Sequence, residues 1–177
     1  IILGFAGRLL FEGIQLAGQL VGFQMGFSIV NVIDPVTSGQ VSIIAEFQYL
    51  LAGLLFLAVD GHHMMIQAIS ESYRVLPVLG FHVTGDLVQH LVALSRDMFV
   101  IAAKISAPIV AALMFANIGL GLVARTVPQI NIFIVGFPLQ IAIGLIGVGV
   151  TLRLFLHLAA GLFSNLRAQM GLLLRAM

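Results

Sequence analysis

The stretch that decides the fold is Met98–Ala124, MFVIAAKISAPIVAALMFANIGLGLVA, an apolar run that contains a single charged residue, Lys104. A helix that crosses a membrane needs about 20 consecutive apolar residues, and this run exceeds that length. The run is too long for a barrel strand and lacks strict alternation of apolar and polar residues. It therefore predicts a helix of membrane type.

The composition of the whole chain agrees with this stretch. Of 177 residues, 60% are hydrophobic and 8% are charged, whereas an ordinary soluble domain is about 25% charged. These values exclude an ordinary soluble domain and also a disordered chain, which would be poor in apolar residues. The composition predicts an all-α membrane protein or a part of a very apolar assembly.

Several classes of function are disfavoured by what the sequence lacks. The formal net charge is +1, and the arginines are scattered rather than gathered in a basic stripe, which argues against nucleic-acid binding. The chain has no cysteine and therefore no thiol chemistry. We recognise no nucleophile elbow, phosphate loop or pair of catalytic carboxylates. The sequence is interpreted as non-enzymatic, with no cofactor and no metal site.

Upstream of the central run, the chain divides into two apolar blocks and one amphipathic segment. The first block, Ile1–Ile33, ends at Asp34-Pro35. It carries Arg8 and Glu12, which lie one helical turn apart, so we expect them to pair or to lie near an interface. The second block, Val41–Val59, stops at a polar break, Asp60-Gly61-His62-His63. Apolar residues then recur on one face of the segment Met65–Leu76, which predicts an amphipathic helix.

The central run belongs to a helix that Thr84 is expected to cap, with Asp86 favourably placed in its first turn. The last apolar block, Ile132–Leu174, contains Pro138. The part after this proline would form a straight helix of roughly 54 Å at about 1.5 Å per residue. A hydrocarbon core is about 30 Å thick, so this helix must tilt, bend or leave the bilayer.

Three glycines in the first block, Gly18, Gly22 and Gly26, recur at intervals of four residues. Such spacing favours close packing of helices in an apolar environment. The alternative is that the glycines weaken the helix and permit a flexible loop. Close packing is the favoured interpretation of the pattern alone.

The few polar groups in apolar surroundings allow alternative interpretations. Lys104 could pair with a carboxylate of a neighbouring chain, which we favour, or it could form an ion-coupling site with Asp97. His62 and His63 lie beside Asp60, but adjacent histidines on a helix point about 100° apart. We therefore favour an interfacial role for them over a metal site.

The segment between Pro128 and Pro138 combines two prolines, amide side chains and a glycine within an apolar region. This pattern predicts irregular backbone at or near membrane depth. Irregular backbone is tolerated there only where protein or a water-filled cavity surrounds it. The segment therefore predicts an obligate partner or an internal pore.

The same segment carries a resemblance to a known family. The stretch Asn117–Phe133, NIGLGLVARTVPQINIF, followed by Gly136-Phe137-Pro138-Leu139, resembles the signature of the FliR family of type III secretion export-gate subunits. Two upstream motifs agree with it, Gly22–Ser28 (GFQMGFS) with Asp34-Pro35, and Asp60-Gly61-His62. The sequence departs from the family pattern at Gln140, where a lysine is common, and the forms around Pro128 and Pro138 favour the flagellar branch.

The resemblance implies the architecture. Residues 1–80 would be a FliP-like helical part, and residues 81–177 would complete it and pass into a FliQ-like helical hairpin. The family's N-terminal helices would precede Ile1. Family members form long bent hairpins within a helical export-gate assembly rather than a simple transmembrane bundle. Much of that gate is raised from the inner membrane toward the periplasm.

The resemblance also implies a function. It predicts one copy of a pore subunit that assembles with FliP and FliQ, with FlhB around the gate and FlhA nearby, in the flagellar basal body. Unfolded flagellar proteins would pass through the pore, and a plug loop at about residues 22–34 would close it at rest. The alternative is the core of a secondary transporter with an intramembrane Asp/Lys site, which would require an inverted internal repeat.

Two sets of candidate residues follow from the resemblance and the patterns above. In the plug, Gly22 and Gly26 would give mobility, while Met25 and Phe27 would exclude water and ions. The residues expected in the plug are Gly22, Phe23, Gln24, Met25, Gly26, Phe27 and Ser28. The residues expected to pack against other subunits are Gly18, Lys104, Asn117, Arg125, Pro128, Gln129, Asn131, Phe137 and Pro138.

Overall fold

The computed structural model describes residues 1–27, 42–75, 82, 84–127, 129 and 131–176. Within these ranges every regular element is an α-helix, which confirms the predicted all-α class. The candidate plug beyond residue 27 lies outside the described residues. The helices are α1 (Ile2–Gln24), α2 (Ile43–Ala58), α3 (Gly61–Val75), α4 (Gly85–Thr126) and α5 (Ile132–Ala176).

The start of α4 follows the sequence prediction. The backbone N–H of Leu87 donates to Oγ1 of Thr84 at 3.1 Å, so Thr84 is the N-cap as expected. Asp86 lies in the first turn and Arg125 in the last turn. Each of these charges is favourable at its end of the helix dipole.

Helices α4 and α5 are long and apolar enough to cross a membrane. Helices α2 and α3 together pass the same test as a pair bent by 68°, so the described part of the chain contains up to three candidate spans. The overlong final helix was expected from the sequence, and α5 has 45 residues.

Two predicted breaks differ from the structure. Irregular backbone was expected as far as Pro138, but α5 begins at Ile132 and includes this proline. An interior proline removes one helical hydrogen bond and its ring crowds the carbonyl four residues earlier. The long apolar sequence that follows nevertheless favours the helical conformation. The polar break at residues 60–63 is also shorter than expected, because α3 already begins at Gly61.

Helix α1 lies at the centre of the packing. It runs parallel to α4 and antiparallel to α2 and α5, as the pairs of contacting residues along these helices indicate. The main core contains an aromatic cluster in which the ring of Phe163 lies 5.4 Å from that of Phe11 and 5.2 Å from that of Phe56. A smaller core forms at the other end of the bundle, where α1 ends.

Large apolar side chains also cover the outer faces of α4 and α5. Phe115 on α4 is 74% exposed, and Ile146 and Val150 on α5 are exposed as well. Extensive apolar exposure of this kind is unfavourable in water and is typical of contact with a membrane or another protein. The outer faces therefore require an apolar environment.

Candidate functional site

The candidate plug overlaps the end of α1. Its first three residues, 22–24, were expected in a loop but form the last turn of this helix, which ends at Gln24 just before Met25 and Gly26. This glycine has φ +89°, in the left-handed region. The N–H of Phe27 donates to the carbonyl of Gly22 at 3.1 Å, and the N–H of Gly26 donates to the carbonyl of Phe23 at 3.1 Å. These two bonds form a Schellman motif, which favours glycine because the residue adopts positive φ without steric cost.

Met25 lies just before this glycine and is fully buried. It packs in the smaller core with residues that include Ile109 and Leu113 of α4. Gly144 of α5 leaves a notch for it, because a Cβ added to this glycine would lie 2.5 Å from Cγ and Sδ of Met25. The sequence interpretation has Met25 in the closed pore, whereas the structure packs its side chain within the chain's own core.

The remaining described residues of the predicted plug have different surroundings. The side chain of Phe23 is 70% exposed, and Phe27 packs against the smaller core. Gln24 is partly buried. Gly22 is buried against the Ser42 side chain at the start of α2. Ser28 lies outside the described residues.

Residues of the family signature pack against the end of α1, where the candidate plug begins. A Cβ on Gly26 would lie 2.9 Å from ring atoms of Phe137, so the glycine permits close approach of the ring. Three residues further along α5, Nε2 of Gln140 donates to Oδ1 of Asn117 on α4. Stretches far apart in the sequence therefore converge where α1 ends, with Met25, Gly26, Asn117 and Phe137 from the predicted sets.

The other residues predicted to pack against subunits lie elsewhere. Gly18 is buried against the backbone of Ala45 on α2, so its close approach is made within the chain. The side chains of five members of the set are exposed, and Pro128 lies outside the described residues. The exposed members are Lys104, Arg125, Gln129, Asn131 and Pro138.

Two ion pairs in the structure bear on the charged pairs expected from the sequence. Nε of Arg8 lies 2.9 Å from Oε1 of Glu12, which confirms the predicted pair. Asp97 pairs with Arg96 at 3.1 Å, and it forms no ion pair with Lys104 among the residues described. Within the part of the chain that the structure describes, Asp97 and Lys104 therefore do not form a direct ion pair.

The notch at Gly144 and the interhelical bond of Gln140 were not predicted from the sequence. Glycines recur in this part of α5, and a Cβ on Gly147 would lie 3.2 Å from Ile109 of α4. Small residues at such spacing indicate close helix packing. That signal was available in the sequence, but nothing local indicates that Met25 is the side chain received there.

Comparison with known proteins identifies the family. The family model of bacterial export proteins, family 1, matches residues 1–166. The chain belongs to this family. Among curated members, the flagellar biosynthetic protein FliR of Bacillus subtilis (strain 168) is 41% identical over 165 residues, which cover 92% of this chain and 64% of that protein.

Two other FliR proteins extend the comparison. That of Pectobacterium carotovorum is 33% identical over 165 residues, covering 93% of this chain and 63% of the relative. That of Escherichia coli (strain K12) is 30% identical over 166 residues, which cover 94% of this chain and 64% of the relative. The chain thus spans less than two thirds of the length of these relatives, whose names refer to flagellar biosynthesis rather than to a catalysed reaction.

Proposed function

We propose that the chain is part of a structural pore subunit of the flagellar type III secretion export gate, which passes unfolded flagellar proteins across the inner membrane. Membership of the bacterial export family and the flagellar relatives support this function. So do two helices that are long and apolar enough to cross a membrane. The role is conduction rather than catalysis.

The observation that carries the proposal is the anchoring of the candidate plug at its base. Helix α1 ends in the Schellman motif at Gly26, within the candidate plug and beside Phe137 of the family signature. Burial of Met25 in the Gly144 notch holds this base against α4 and α5. In the closed gate the rest of the segment blocks the pore, with Phe23 extending from the bundle.

The exposed apolar faces support a partner-rich assembly. We infer that they contact FliP and FliQ subunits as well as lipid, with FlhB around the gate and FlhA nearby. Lys104 lies on such a face of α4, where a charge is stable when a carboxylate of a neighbouring subunit pairs with it. The gate would lie in the flagellar basal body, partly raised toward the periplasm.

The proposed internal division follows the helices. Residues 1–80 form the first part of a FliP-like unit, and residues 81–177 complete it and continue into a FliQ-like hairpin. Antiparallel packing of α4 and α5 supports the hairpin. Near its open end, Oγ1 of Thr84 donates to the carbonyl of Ala176 at 2.5 Å, and near the turn Gln140 bonds Asn117.

Deleting Gln24–Ser28 from the full-length protein tests the plug. We expect greater ion leakage through cells that carry the assembled gate, because the pore loses its closing segment. Since the deletion also removes the buried Met25, a milder variant, Phe23→Ser, changes an exposed side chain in the same segment. Leakage is measured as the conductance of the inner membrane.

The matched control is Phe5→Ser, which changes another exposed phenylalanine of α1 at the opposite end of the helix. Native mass spectrometry of the detergent-extracted complexes establishes that each variant still assembles with its partners. Assembled deletion and Phe23→Ser gates that leak no more than the Phe5→Ser gate would refute the plug. A lone monomer or a symmetric homodimer would refute the gate itself.

A further inference from the structure

The bend between α2 and α3 brings three potential metal ligands together. Asp60, His62 and His63 each offer one ligand atom, and these atoms lie within 4.8 Å of one another. We propose that this cluster, here called the bend triad, binds one divalent transition-metal ion of the kind that prefers imidazole ligands, such as Zn²⁺. This inference does not depend on the proposed export function.

The backbone of the bend explains why the ligands converge. Asp60 has φ 56°, in the left-handed region that aspartate tolerates better than most residues. Its carbonyl accepts a bond from the N–H of Met64 at 3.2 Å, so α3 starts immediately after the turn. Gly61 fits because an added Cβ would collide with the ring of Phe56.

The distances within the bend triad suit a metal ion. Metal–ligand distances of about 2.0–2.2 Å place the ligand atoms of a tetrahedral site roughly 3.3–3.6 Å apart. Nδ1 of His63 already lies 3.3 Å from Oδ1 of Asp60. The rings of His62 and His63 have centroids 4.2 Å apart. Adjacent helical histidines were expected to diverge, but here both rings lie together in the first turn of α3.

The chemistry of the donors points in the same direction. Nδ1 of His62 is buried and has no hydrogen-bond partner within the described part of the chain. A buried polar atom without a partner is costly, and a bound ion, or a proton acceptor held by that ion, removes the cost. The side chains of His63 and Asp60 are 64% and 73% exposed, which leaves a path for an ion from solvent.

Three protein ligands leave a fourth position for water or for a group from a neighbouring chain. An ion held there would connect Asp60, in the turn between α2 and α3, to the first turn of α3. These two helices meet at 68°. The proposed role of the ion is to stabilise the bend.

Calorimetric titration of the full-length protein in detergent with Zn²⁺ tests the site. The variants are Asp60→Asn, which retains tolerance of the left-handed conformation, and His63→Gln, which changes an exposed side chain. The control is His157→Gln, an exposed histidine of α5 outside the bend triad. Circular dichroism establishes that all proteins keep their helix content.

We expect the wild type and His157→Gln to bind one more Zn²⁺ than either bend-triad variant, or to bind it at least about tenfold more tightly. Loss of an outer-shell partner alone commonly weakens metal affinity by 10–100-fold, so loss of a direct ligand should have at least this effect. Added Zn²⁺ should also raise the unfolding temperature of the two binding proteins only. Equal binding by all four proteins, or no saturable binding by the wild type, would overturn the proposal.

Discussion

The Gly144 notch gives a direct test of how the base of the candidate plug is held. In the variant Gly144→Ala, the new Cβ would lie 2.5 Å from Cγ and Sδ of Met25 and 2.6 Å from its Cε. Carbon and sulfur atoms cannot approach so closely, so the Met25 side chain must leave the notch or distort the smaller core. The substitution therefore acts on the anchor without altering the plug residues themselves.

The size of the effect follows from overpacking. Extra methyl groups in a packed core commonly cost about 1–3 kcal/mol, and a flexible methionine favours the lower part of this range. On the proposed function, Met25 leaves the notch when the segment opens, so the cost falls on the closed state alone. A difference of about 1–3 kcal/mol changes the ratio of open to closed gates by about 5- to 150-fold.

The assay is the resting conductance of the inner membrane in cells with the assembled gate. Gly149→Ala is the matched control, because it lies on the same helix and an added Cβ there meets nothing within 4 Å. Both variants gain the same helix propensity from alanine. If Gly144→Ala and Gly149→Ala gates assemble equally and leak equally, Met25 does not hold the closed state and the reasoning is wrong.

Two further predictions concern stability, measured as the free energy of unfolding of the extracted protein. Phe163→Ala should destabilise the protein by about 3–5 kcal/mol because it empties the centre of the aromatic cluster. The exposed Phe115→Ala should have a far smaller effect, and similar losses would contradict this core. Gly18→Ala should cost about 1–3 kcal/mol, since its Cβ would meet the backbone of Ala45. Gly4→Ala, with open space around it, serves as its control, and a neutral Gly18→Ala would show that α1 and α2 do not pack closely.

Local rules explain which parts of the fold could be predicted from the sequence. Apolar run length identified the helices, and the cap at Thr84 was predictable because its signal lies within one turn. The prediction that irregular backbone would extend to Pro138 was wrong, because α5 includes this proline. The preference of the long apolar sequence after Pro138 for a helix outweighs the local effect of the proline. Helix boundaries depend on such competition and are therefore less predictable than helix identity.

The candidate site was less predictable for a related reason. Patterns and family resemblance drew attention to Met25, Asn117 and Phe137, but they did not show that these residues meet at the end of α1. The notch at Gly144 depends on the crossing of α1 and α5, which are far apart in the sequence. Likewise, convergence of the bend triad depends on the backbone of one residue, Asp60.

The aromatic cluster also has a consequence for the order in which the protein is made. Phe11 of α1 and Phe163 of α5 are about 150 residues apart in the sequence. The ribosome therefore adds Phe163 long after it has completed α1. At about 5–20 residues per second, this delay is roughly 8–30 s. During that interval α1 can pair with α2 through Gly18 and Gly22, but its core against α5 does not yet exist. The newly made hairpin of α1 and α2 must therefore be sheltered by the membrane, a chaperone or an assembly partner until α5 emerges.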